Sequence, residues 1–195
     1  MKKEAITLVF ATQNDNKAKE IQSLLPQHII VKTLKDIGCD VDIPENQPDL
    51  KGNALAKANY VVTNFNSNCF ADDTGLEIEA LNGEPGVYSA RYAGPEKNSQ
   101  KNMDLVLEKL KGETNRRAQF RTVIALILDD ETHLFEGIVK GEIRKERAGA
   151  DGFGYDPIFE PEDCGRTFAE MSMEEKNTMS HRGRALEKMV AFFNS

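Results

Sequence analysis

Apolar residues come in short runs divided by polar stretches, and the spacing within each run predicts its element. Ile6 to Ala11 is nearly continuous and reads as a buried strand, after which Asn14 or Asp15 caps a helix carried by Ile21, Leu24 and Leu25. Ile29 to Leu34 gives a second strand. Asp36 to Lys51 is acidic, contains Pro44 and Pro48 and reads as a loop, and an Ala-rich helix runs from Asn53 towards Phe65. Cys69 to Ala71 is a short strand ending at Asp72 and Asp73, and Leu76 to Ala80 alternates as a half-exposed strand. Past the loop Asn82 to Gly94, Met103, Val106, Leu107 and Leu110 mark a helix over Lys97 to Lys111. Strands over Gln119 to Leu128 and Leu134 to Ile143 flank the polar turn Asp129 to Thr132. Ser172 and Glu175 have capping-box spacing, and Ser180 caps a last helix with Ala185, Leu186, Met189, Val190 and Phe193 on one face.

Strands and helices alternate early and a hairpin occupies the middle. This predicts an α/β fold with a long mixed central sheet flanked by helices. A chain of 195 residues suits one domain, with or without a second lobe folded onto it. An apolar fraction of 39% without a membrane-length apolar run predicts a soluble protein. The start, Met1 to Ala5, lacks the features of an export signal, so cytoplasmic residence is expected. Cys39, Cys69 and Cys164 are odd in number and too widely spaced for a disulfide framework or a zinc site, and read as packing or bystander thiols. The net charge of −7 disfavours nucleic acid polymers and leaves small phosphorylated ligands open.

Four stretches carry candidate chemistry. Asp72 and Asp73 with Thr74 and Gly75 form either an acidic turn or a magnesium site, since adjacent carboxylates repel unless a cation lies between them. Thr12 to Lys17 joins a strand to a helix, where amides and dipole favour an anion; the alternative is simple capping. Gly149 to Pro157 presents Phe153, Tyr155 and Asp156 on a glycine-rich loop, which is either a tight turn or a stacking platform for a base. Lys176, His181 and Arg182 lie close around a helix start, where the histidine and arginine oppose the dipole, so an anion or carbonyl ligand would relieve the cost; the alternative is a simple solvated face. No nucleophile elbow or paired histidines appear, which leaves metal-assisted attack by water as the better-supported chemistry.

Thr12-x-Asn-x-x-Lys17, Asp72 to Leu76, Pro85 to Arg91, Gly152 to Phe159 and Ser180 to Arg182 occur in the order and approximate spacing of the inosine triphosphate pyrophosphatase family, which the chain resembles over residues 6 to 193. The resemblance implies a single two-lobed domain over 1–195, a nucleotide cleft between the lobes, and a homodimer. It implies hydrolysis of ITP, dITP and XTP to the monophosphate and pyrophosphate with Mg2+; the composition already argues against membrane and nucleic acid polymer partners. By similarity, Thr12, Asn14, Lys17, Lys57 and Thr74 contact the phosphates, Asp73 is general base and metal ligand, and Asp72 and Glu45 support the metal. Phe153, Gly154, Tyr155 and Asp156 line the base pocket, with Lys176, His181 and Arg182 facing the purine six-position. Gly52 departs from the family pattern, in which an acidic residue is frequent there. A nucleotide sensor without turnover and a phosphatase releasing the terminal phosphate are the competing functions.

Overall fold

The computed structural model describes residues 4–22 and 24–194. Met1 to Lys3 and the side chain of Asp15 lie outside the description. Among the described residues seven strands form one sheet: β1 (Ile6–Phe10), β2 (Ile29–Thr33), β3 (Cys69–Ile78), β4 (Pro85–Gly86), β5 (Arg117–Leu128), β6 (Glu131–Ile143) and β7 (Phe159–Pro161). Their order is β2-β1-β3-β5-β6-β7, with β4 paired to β3. β1 runs parallel to β2 and β3, whereas β4 is antiparallel to β3 and β7 to β6, so the sheet is mixed. The α-helices among the described residues are α1 (Asp15–Gln22), α2 (Leu50–Phe65), α3 (Ser99–Lys109), α4 (Met173–Met179) and α5 (His181–Asn194), with short 3-10 turns between elements. No helix among the described residues is long and apolar enough to cross a membrane.

The chain divides into two compact units. The first holds residues 1–73, 123–136 and 185–195. Its strands alternate strictly. Leu8, Phe10 and Phe70 pack with Ile21 of α1 and with Ala185, Leu186 and Met189 of α5, and the Phe10 and Phe70 rings stack 4.6 Å apart. Val9, Ala11, Cys69 and Ala71 face the other way, against Ala54, Ala58 and Val61 of α2. The second unit holds residues 74–122 and 137–184. Its core joins Leu76, Ile78, Met103, Val106, Phe120, Phe159 and Phe168.

Several element boundaries differ from the sequence reading. α1 stops at Gln22, and Leu24 and Leu25 pack beyond it, because Pro26 restricts the residues before it. α2 starts one turn earlier than Asn53: the Asp49 side chain accepts a hydrogen bond from the Gly52 N–H at 2.7 Å and caps the helix. β3 is unbroken through Asp72 and Asp73, so the paired acids sit inside a strand and the acidic-turn reading fails. Asp129 and Asp130 both take positive φ, 49° and 68°, which closes a two-residue turn and pulls Glu131 and Thr132 into β6. The Ser172 capping box forms, and Ser180 accepts from the Gly183 N–H to start α5.

Cys39 and Cys69 are buried, and burial pushes the Cys69 thiol up to about 12; Cys164 is the more accessible cysteine. Since the thiolate is the reactive form, iodoacetamide at pH 8 should label Cys164 first and reach Cys69 only after unfolding. Peptide mass mapping over time checks this, and early labelling of Cys69 would show that β3 opens in the native protein.

Candidate active site

The alternation of β3 distributes its two acids. Asp72 shares the parity of Phe70 and Asp73 that of Ala71, so neighbouring carboxylates emerge on opposite faces of one strand. A helix in the first unit supplies a lysine to each. Lys17 of α1 lies 3.1 Å and 3.2 Å from the two carboxylate oxygens of Asp72. Lys57 of α2 donates to Glu45 and to the Asp72 carbonyl at 2.7 Å, and its ammonium lies 3.9 Å from Asp73. Burial works to lower the Lys57 pKa, but the carboxylates of Asp73, Glu45 and Asp72 outweigh it and hold the group charged. Burial raises the Asp73 carboxyl above its ordinary range, against the opposing pull of Lys57 and Lys17.

Asn53 is a functional candidate that sequence reading passed over as a helix start. It is 1% exposed, donates to Asp73 at 3.0 Å, and accepts from the Gln47 N–H at 2.9 Å. It therefore ties the loop that carries Glu45 to the acid on β3. Asn53 and Lys57 stand four residues apart, on one face of α2. Two polar residues at that spacing in an Ala-rich helix were the available signal. A Cβ on Gly52 would lie 2.7 Å from the Gln47 Cβ, so in this chain the loop occupies the space an acidic side chain would need.

Thr12 and Asn14 shape the loop after β1. Thr12 Oγ1 accepts from the Asn14 N–H at 3.1 Å, and Asn14 Oδ1 from the Lys17 N–H at 3.3 Å. The capping reading thus describes their local contacts, and it leaves Lys17 aimed at Asp72. As hard oxygen donors, Asp73 and Glu45 suit a divalent cation such as magnesium, and both converge on Lys57. Among the described residues no three His, Cys, Asp or Glu side chains form a metal-holding group.

The second unit brings together Phe153, Asp156, Lys176 and Arg182. Asp156, 3% exposed, accepts from the Phe153 N–H and from the Lys176 ammonium, each at 2.8 Å. The Lys176 nitrogen lies 4.4 Å from the centroid of the Phe153 ring, and the Arg182 guanidinium carbon 5.7 Å from it. Thr74 accepts from Arg182 at 3.3 Å. Tyr155 and His181 are set differently. The Tyr155 hydroxyl donates to the Ser89 carbonyl at 2.7 Å, and His181 stacks on Phe120 at 4.6 Å. Gly154 takes a φ of +64° beside them. Ser89 also accepts from the Leu76 N–H and donates to the Gly86 carbonyl, which gives the Pro85 to Arg91 motif a structural task.

The Ham1 family model matches residues 8–192 of the chain. The dITP/XTP pyrophosphatase of Flavobacterium psychrophilum is 55% identical over 188 residues, covering 96% of this chain and 99% of the relative. That of Bacillus subtilis is 46% identical over 191 residues, covering 96% and 95%. Among solved structures, the Staphylococcus aureus Ham1 protein superposes with a TM-score of 0.89 at 40% identity, covering 96% of this chain and 98% of its own.

Gly152 tests the importance of the Asp156 node. It has a φ of +77°, and a Cβ there would meet the Asp156 carboxylate at 2.2 Å. Gly152→Ala should displace that carboxylate from Lys176 and destabilise the protein by about 2 kcal/mol or more. Urea unfolding measures the loss; an unchanged midpoint would show that the loop relaxes around the added methyl.

Proposed function

The chain belongs to the Ham1 family, and from that premise we propose that it hydrolyses non-standard purine nucleoside triphosphates, ITP, dITP and XTP, to the monophosphate and pyrophosphate. The observation that carries the reading is the pair of acids on opposite faces of β3, each met by a buried or half-buried lysine. A protein that only binds nucleotides has no use for a carboxylate raised by burial beside two ammonium groups. The names of the relatives support the same substrate class. The work assigned to the protein is the cleansing of the cytoplasmic nucleotide pool, by a homodimer as the family resemblance implies.

The roles follow from the chemistry of each side chain. The loop at Thr12 and Asn14, with Lys17 and Lys57, receives the triphosphate; the family resemblance also gives Thr74 a phosphate contact. Asp73 accepts a proton from the attacking water as its oxygen bonds to the α-phosphorus, and the oxygen bridging the α- and β-phosphorus departs with pyrophosphate. Burial favours this, since a base raised towards working pH is better matched to the transfer. Asn53 fixes the carboxylate by its hydrogen bond. Magnesium, when held by Asp73 and Glu45, would neutralise charge on the phosphoryl oxygens. Asp72 supports that site by holding Lys17 from the opposite face of β3.

Phe153 to Asp156 receive the purine, with the Phe153 ring as stacking face. Lys176, His181 and Arg182 supply donors to O6 of hypoxanthine or xanthine. Adenine offers an amino donor at that position, which leaves charged donors unpaired at roughly 1.5–3 kcal/mol for each lost bond.

Product analysis tests the reading. With ITP, XTP, dITP, GTP and ATP in magnesium buffer, pyrophosphate should form from the first three and little from the others. Orthophosphate would identify a phosphatase, and no turnover a sensor. Asp73→Asn should abolish hydrolysis while leaving nucleotide binding measurable by calorimetry, and retained turnover would remove Asp73 as the base. Chelation should stop the reaction, and added magnesium should restore it.

A further inference from the structure

Along β5 the residues Phe120, Thr122, Ile124 and Leu126 share one face, with exposures of 6%, 0%, 0% and 0%. Thr122 is the polar member of this apolar row. Valine has the same shape and an equal preference for strands, so packing and propensity give no reason for the hydroxyl. Burying it costs free energy unless it is hydrogen-bonded. Its partner is the Thr74 hydroxyl on the neighbouring strand β3, with the two oxygens 2.7 Å apart.

The Thr74 oxygen also accepts from the Arg182 guanidinium at 3.3 Å. Arg182 is 1% exposed, so its orientation is set by groups buried beside it rather than by water. A hydroxyl has one proton and two lone pairs, and it turns freely unless a second group fixes it. Thr122, across the strand pair at 2.7 Å, is a buried group placed to do so. With the Thr74 hydroxyl bonded to Thr122, a lone pair stays directed at Arg182; loss of that bond removes the β5 contribution to holding the acceptor that the planar guanidinium meets.

We propose that Thr122 is a positioning residue for purine selection, acting through the chain Thr122–Thr74–Arg182 to hold the guanidinium that reads the six-position. The inference rests on the base-reading role proposed above for Arg182. Thr122 touches no substrate in this account. Its effect falls on discrimination between purines, which a side chain that merely fills the core would not alter.

The test compares kcat/KM for ITP and ATP, together with the thermal unfolding midpoint, in Thr122→Val, Thr122→Ser and Arg182→Met. Thr122→Val should lower the ratio of ITP to ATP efficiency by about tenfold, the equivalent of one buried hydrogen bond to a charged group, with the midpoint little changed. Thr122→Ser restores the hydroxyl and should restore the ratio. An unchanged ratio in Thr122→Val, with Arg182→Met still losing it, would overturn the inference and spare the base-reading assignment. Equal losses on both nucleotides in Thr122→Val would reduce Thr122 to a structural role and also overturn it. If Arg182→Met keeps the ratio, the base-reading assignment itself fails and takes the inference with it.

Discussion

Asp72 and Asp73 lie side by side in a strand at 1% and 7% exposure, and carboxylates so placed stay ionised only where cations or donors meet them. The first unit is arranged around that requirement. Strand alternation sends one acid to each face, α1 brings Lys17 to one side, and α2 brings Lys57 and Asn53 to the other. Lys57 in turn is buried and depends on Glu45, Asp73 and the Asp72 carbonyl. Removing one member of such a group leaves the remaining charges uncompensated, typically at 3–5 kcal/mol. The loop before α2 is drawn in by the same logic, since Asn53 holds the Gln47 amide while it holds Asp73.

The second unit meets a comparable demand with one carboxylate. Asp156 organises the Phe153 backbone and the Lys176 ammonium together, and the glycine at position 152 clears the space it needs. Lys176 then stands over the face of Phe153, a favourable place for an ammonium group. A purine stacking on that same face must displace or share it. In the proposed base site, binding would exchange a cation–π contact for base stacking plus a hydrogen bond to the released ammonium, a trade that depends on the base having an acceptor to offer.

Most of the fold could be read from periodicity, because the apolar runs of β1, β5 and β6 and the helical spacing of α3 and α5 reflect burial directly. What escaped reading was governed by partners distant in sequence. Asp72 and Asp73 suggested a strand end because acids are rare in buried strands; only the lysines 55 residues before Asp72 and 15 residues before its carbonyl make the continuous strand tenable. Asp49 outcompeted Asn53 as the cap of α2 because Asn53 was needed against Asp73. The resemblance to the inosine triphosphate pyrophosphatase family agrees with the Ham1 family match, and its motifs mark the residues gathered in each unit. Thr122 was invisible because a threonine in a strand is ordinary until its hydroxyl partner is known, and Ser89 was marked only as part of the Pro85 to Arg91 motif, without a task, until its partners were seen.

An overall charge of −7 would make a poor receptor for a triphosphate if the surface decided the matter. The local balance is also unfavourable. Lys17 and Lys57 face Glu45, Asp72 and Asp73, so with every group ionised the cluster carries one net negative charge. Two lysines already satisfied by carboxylates have little attraction left for phosphate at close range. A divalent cation on Asp73 and Glu45 would reverse the sign of the whole cluster and free the lysines to turn towards the ligand. On the proposed reading, the excess of carboxylates over lysines gives a divalent cation a part in receiving the triphosphate as well as in the chemical step.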